Sequence, residues 1–173
     1  KFLKNSKVHK NIKVFGVDMN SNVRGKYLAD YFQTVSNGKS KKFINEVIKI
    51  CRDFKINLIL PGSDEEALNL SKNRSRIETN FTKIASMPIN TLNIFSNKSE
   101  TYKHLKKINI SIPIWYLAKN NVELFKNIKK LIIKEKDVVI KPSISRGGRN
   151  IYVISEKTKK EIFRNSGREI ELN

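Results

Sequence analysis

Apolar positions along the first ninety residues alternate between two rhythms. Ile12–Asp18 (IKVFGVD) is a short run dense in β-branched residues and predicts a strand, as does the weaker Tyr31–Val35. From Ser40 to Phe54, Phe43, Ile44, Val47, Ile48, Cys51 and Phe54 recur at spacings of three and four, one face of a helix. Asn57–Leu60 (NLIL) predicts a buried strand stopped by Pro61-Gly62. Ser63-Asp-Glu-Glu66 is a capping box that opens a second helix, and Thr82–Ser86 predicts a further strand. Strands rich in Ile, Val and Leu that alternate with helices predict an α/β, doubly wound, mostly parallel sheet. Lys1–Lys10 looks like the polar end of a helix, so a strand and most of a helix are expected upstream of Lys1.

Beyond Pro88 the pattern changes. Asn97-Lys-Ser-Glu100 is another capping box and starts a helix to about Lys107. Ile114–Ala118 predicts a strand after Pro113. Asn120-Asn-Val-Glu123 caps a third helix, with Val122, Leu124, Phe125, Ile128, Leu131 and Ile132 as its apolar side. Asp137–Lys141 and Asn150–Ile154 predict two strands around a glycine-bearing loop, and Ser155 to about Asn165 is expected to be helical. The expected division is residues 1–90 as one α/β domain and residues 91–173 as a small α+β lobe, with the boundary near Ser86–Ser96.

Charge changes the picture less than its size suggests. The 173 residues carry 35 Lys+Arg against 16 Asp+Glu, a net charge of +19, which invites a nucleic-acid reading. Yet 27 Lys, 20 Asn and 23 Ile dominate the chain while Arg numbers only 8. These three residue types share A/T-rich codons, and the lysines are spread throughout instead of clustered. A nucleic-acid partner is therefore not expected from charge alone. No apolar run reaches the ~18 residues of a membrane span. One cysteine, Cys51, cannot form an internal disulfide, and no secretory leader is visible, so a cytoplasmic setting is expected.

The stretch Val138-Val-Ile-Lys-Pro-Ser-Ile-Ser-Arg-Gly-Gly-Arg-Asn-Ile-Tyr-Val-Ile154 carries the most chemistry. Gly147 and Gly148 let backbone N–H groups approach an anion where a Cβ would clash. Ser143, Ser145, Arg146 and Arg149 offer further donors, and Lys141 ends the first strand as a point charge for a phosphate. A Walker A loop would put its lysine after the glycines and enter a helix, which fails here. A dinucleotide fingerprint needs Gly-x-Gly-x-x-Gly, which is absent. A kinase places its glycine loop before the lysine.

The order Lys-Pro, Gly-Gly, strand resembles the ATP-grasp superfamily. The likeness runs upstream in order: Gly16–Asn20 and Gly25–Asp30, then Pro61–Ala67 with Lys72-Asn-Arg74, then Asn97-Lys98 before Ile112-Pro113. The nearest branch by this likeness is the carbamoyl-phosphate synthase large subunit. The resemblance implies a Rossmann-like leading domain followed by an ATP-grasp lobe. It implies that Lys98 and Lys141 contact ATP phosphates and that Ser145, Arg146, Gly147, Gly148 and Arg149 form the loop closing over them. It assigns Asp64, Glu65 and Glu66 to the substrate side. The implied cofactors are ATP and Mg²⁺, the metal ligands lying outside this chain. The implied partners are a small carboxylate or amine substrate and the remainder of the ATP-grasp domain. The family's usual Gly and Asp are replaced here by Asn150 and Asn97. Asn tolerates positive φ, and Asn caps a helix as Asp does. The chain is expected to be a portion of a ligase, inactive by itself. The alternative expectation is a basic α/β binding module without catalysis. Asp18 could mimic a ribose-binding acid, whereas Cys51 and Trp115 read as core, and His9 and His104 lack companions for a metal.

Overall fold

The computed structural model describes residues 5, 7, 11–135, 137–145, 150–155, 161–165 and 168–172. It divides into two compact units, Lys1–Ile89 and Asn90–Asn173.

In the first unit, β1 (Phe15–Asp18) is followed by a 3₁₀ helix at Arg24–Leu28 and β2 (Tyr31–Thr34). Then come α1 (Phe43–Asp53), β3 (Leu58–Ile59), α2 (Asp64–Lys72), α3 (Arg74–Ile77) and β4 (Lys83–Ile84). The strands form two separate parallel pairs, β1 with β2 (Phe15 opposite Tyr31) and β3 with β4 (Ile59 opposite Ile84). Parallel pairing follows from the crossover connections, through the 3₁₀ helix between β1 and β2 and through α2 and α3 between β3 and β4. The predicted strands are all present but shorter than their apolar runs.

The helical spacing of α1 places Phe43, Ile44, Val47, Ile50 and Cys51 in the core, with Val35, Leu70, Ile77 and Ile84. Burial pushes the Cys51 thiol pKa up, which suits a core cysteine. Leu70 and Phe43 are each 2% exposed and anchor the cluster. Around it, polar clamps fix the loops. Ser36 donates to Glu46 through both its N–H (2.6 Å) and its hydroxyl (2.8 Å). Ser63 caps α2 by accepting from the Glu66 N–H at 3.3 Å, while the Glu66 carboxylate accepts from the Gly62 N–H at 2.8 Å. The return arm of this capping box thus reaches one residue further back than the usual form.

In the second unit, α4 (which begins at Ile89 and runs to Ser96), α5 (Lys98–Lys107) and α6 (Asn121–Ile132) precede an antiparallel sheet. That sheet has the order β5 (Asp137–Ile140), β6 (Ile151–Ser155), β7 (Glu161–Asn165), β8 (Arg168–Leu172). Two expectations are corrected here. Of the segment expected to be helical, Ser155 ends β6 and 161–165 form β7, because each strand finds a ladder partner; residues 156–160 lie outside the described residues. Ile114–Ala118 forms no strand, since among the described residues no neighbour pairs with it despite its β-type composition. The apolar side of α6 is narrower than its spacing suggests: Leu124, Ile128, Leu131 and Ile132 are half-buried, while Val122 and Phe125 are exposed.

Candidate functional site

Among the sequence-predicted residues, the structure brings two together from separate elements of the second unit. Lys98 begins α5 and Ser145 follows β5, 47 positions later in the chain. The Lys98 ammonium donates to the Ser145 hydroxyl at 2.9 Å and lies 3.4 Å from the Ser145 carbonyl. The Lys98 backbone N–H donates to the Ser143 carbonyl at 2.8 Å. The start of the loop is therefore fastened to the start of α5 through both the backbone and the side chain of one residue.

Asn97 explains why α5 begins where it does. Its extended backbone (φ −116°, ψ 111°) and its Oδ1 form the cap. Oδ1 accepts from the Ser99 N–H at 3.1 Å, the Glu100 N–H at 3.4 Å and the Ser99 hydroxyl at 2.8 Å. Asn thus performs the capping expected of it in place of Asp. Lys98 sits in the first turn, where the helix dipole disfavours a cation. Among the described residues no carboxylate lies within ion-pair distance of it. A half-buried, unneutralised ammonium at a helix N-terminus is an anion-binding arrangement in charge terms.

Lys141 is the residue immediately after β5 and is exposed, and its ammonium has no partner among the described residues. Asn150 takes φ 55°, the left-handed conformation its position demands and that Asn adopts more readily than most side chains. Arg146, Gly147, Gly148 and Arg149 lie outside the described residues. The ammonium groups of Lys98, held by Ser145, and of Lys141, exposed, are of the chemistry that pairs with phosphate oxygens. They do not fit a divalent cation: among the described residues no three of His, Cys, Asp and Glu gather as metal ligands.

The acidic trio lies in the first unit, in the first turn of α2. Glu66 is engaged by Gly62 as described, and Glu65 lies 3.6 Å from the Lys39 ammonium. Asp64 is exposed in the first turn of α2, where the dipole favours it. Arg74, part of the Lys72-Asn-Arg74 motif, is a clamp: it donates to Glu78 at 2.7 Å and to the Ser86 carbonyl at 2.5 Å. The Ile84 N–H, which donates to Glu78 at 3.0 Å, and then Arg74 hold the Glu78 carboxyl below its ordinary pKa. Asp18 accepts from the Asn20 N–H at 2.9 Å, a local turn contact. Trp115, read as core, is half-buried and rests against Tyr102 with ring centroids 5.4 Å apart. Sequence reasoning missed the Ser143 carbonyl, which was credited only with donors. It also missed that Ser145 serves as an acceptor for Lys98. Neither has a local sequence signal, because each depends on a long-range contact.

Among the described residues, no helix is long and apolar enough to cross a membrane. No curated protein matches the chain significantly. Among solved structures, the chain is similar to the biotin carboxylase domain of Hydrogenobacter thermophilus 2-oxoglutarate carboxylase, crystallised as a dimer with MgADP, ADP and bicarbonate. The TM-score is 0.52 at 13% identity. The match covers 83% of this chain and spans 32% of that one, and at this identity it shows the fold alone. Residues 1–85 match the family model for a PylC-like N-terminal domain. Residues 77–173, more than half of the chain, match the model for the sugar-transfer associated ATP-grasp family. The chain belongs to that family.

Proposed function

We propose that this chain is the nucleotide-phosphate-binding portion of an ATP-grasp ligase. The observation that carries the reading is the contact between Lys98 and Ser145, which holds an unneutralised ammonium against the start of the β5–β6 loop. Lys98 and Lys141 offset phosphate charge, and the loop with Arg146, Gly147, Gly148 and Arg149 supplies further donors. In the longer enzyme a carboxylate oxygen attacks the γ-phosphorus, the bond to the β–γ bridging oxygen breaks, and ADP leaves. An amine or similar nucleophile then attacks the acyl carbon, losing a proton as inorganic phosphate departs. Mg²⁺ would accompany ATP, held by residues outside this chain, and Asp64–Glu66 would face the acceptor substrate. A continuous doubly wound sheet in the leading domain, a boundary near residue 90, a likeness to the carbamoyl-phosphate synthase large subunit and a cytoplasmic setting belong to the same proposal.

The test is a calorimetric titration of the 173-residue chain with ATP, alone and in Lys98→Met and Lys141→Met variants. Each loss of a charge-assisted contact should weaken binding about 10-fold. Binding that ignores both substitutions, yet falls steeply with added salt and favours duplex nucleic acid, would establish the basic binding module instead. In the longer enzyme, hydroxylamine should trap the acyl phosphate as a hydroxamate. ADP release that needs no carboxylate would count against that chemistry.

A further inference from the structure

We infer that Ser145 is a positioning residue for Lys98, so that the lysine ammonium, and not the backbone of α5, meets the nucleotide phosphate. This deepens the nucleotide-binding reading and rests on it.

A helix start normally offers free N–H groups to an anion. Here the first turn of α5 has none to give. The Lys98 N–H goes to Ser143, the Ser99 and Glu100 N–H groups go to Asn97 Oδ1, and the Thr101 N–H goes to the Asn97 carbonyl at 2.9 Å. What remains for an anion is the Lys98 side chain. Free in solvent, a lysine head samples many rotamers, and ordering it on a ligand costs conformational entropy. Ser145 removes part of that cost in advance, because its hydroxyl (2.9 Å) and carbonyl (3.4 Å) both face the Lys98 ammonium. An ammonium has three N–H donors, so two such contacts leave one for a phosphate oxygen. Both acceptors are neutral, so the positive charge is held without being cancelled. A carboxylate at Ser145's position would hold Lys98 equally well and would spoil its affinity for anions.

The inference separates Ser145 from a direct phosphate ligand. If Ser145 acts through Lys98, its removal matters only while Lys98 is present. The experiment uses the 173-residue chain with ATP as the probe. First, the lysine ε-methylene NMR signals are recorded without nucleotide. The Lys98 ε protons should be inequivalent in the unaltered chain and in Ser145→Thr, and should collapse to an averaged signal in Ser145→Ala. Second, ATP affinity is measured in a double-mutant cycle. Ser145→Ala should weaken binding about 5-fold, Ser145→Thr should restore it to within about 2-fold, and Ser145→Ala should have no further effect in a Lys98→Met background. Lys98 signals unchanged by Ser145→Ala overturn the inference. So does an equal loss from Ser145→Ala with and without Lys98, which would make the serine a direct ligand. Absence of ATP binding by the unaltered chain overturns the nucleotide reading itself. The ε-proton comparison still decides in that case whether Ser145 holds Lys98.

Discussion

Removing the Asn97 side chain should loosen the very turn that carries Lys98. In Asn97→Ala the cap loses its Oδ1 acceptor, which satisfies the Ser99 and Glu100 N–H groups. Loss of such a cap costs about 1 kcal/mol. The same oxygen accepts from the Ser99 hydroxyl at 2.8 Å, and Ser99 is only 8% exposed. Leaving a buried hydroxyl without its acceptor adds about 1 kcal/mol more. The sum, about 2 kcal/mol, corresponds to roughly 30-fold more frequent local opening of the first turn. Amide hydrogen exchange at Thr101, whose N–H donates to the Asn97 backbone carbonyl at 2.9 Å, an acceptor that Asn97→Ala retains, reads that opening directly and does not require two-state unfolding of a chain with two units. Asn97→Asp serves as the control, because it keeps the acceptor and adds a charge the helix dipole favours, so exchange should be as slow or slower. Exchange in Asn97→Ala within about 2-fold of the unaltered chain would refute the capping argument, and with it the claim that this cap places Lys98.

Other expectations concern the first unit. Leu70→Ala should cost about 2–5 kcal/mol in urea unfolding, because the side chain is 2% exposed at the centre of the core; a loss well under 1 kcal/mol would contradict that placement. Gly38→Ala should cost about 1–3 kcal/mol, since a Cβ there would lie 2.9 Å from Glu66 Cγ and 3.2 Å from its backbone nitrogen; an unchanged urea midpoint would show that the α2 start gives way easily. Glu78, whose folded pKa is depressed, contributes stability that is complete above its ordinary pKa and is lost as pH falls through the folded value. Urea midpoints should therefore decline through the acidic range, and Glu78→Gln should flatten that decline; equal slopes in both proteins would rule out this source.

The helix starts were legible in the chain because capping is local. Ser63, Asn97 and Asn120 each accept from the N–H two or three residues ahead. The core face of α1 was legible for the same reason, its apolar spacing being a property of one helix. Strand identity in the second unit was not. Residues 156–160 are polar and lysine-rich in sequence, and the weak signal of Glu161–Asn165 became a strand only by pairing on both sides. Arg168–Leu172 does carry a period-two signal, with Ile170 and Leu172 alternating with Glu169 and Glu171, which sequence reasoning passed over. Conversely, Ile114–Ala118 has strand-type residues and no ladder among the described residues. At the candidate site, Lys98 and Ser145 each stand in a motif of the chain, but their direct contact was not legible, because only the tertiary fold closes a gap of 47 positions.

The central claim is that the start of α5 and the end of β5 form one phosphate-binding site. An amide chemical-shift map during ATP titration tests it most directly. The account predicts saturable shifts at Lys98, Ser143, Ser145 and Lys141, abolished when Lys98 and Lys141 are both replaced by Met. No shift at these positions at millimolar ATP would contradict it. So would shifts scattered over the lysine-rich surface that vanish between low and moderate salt.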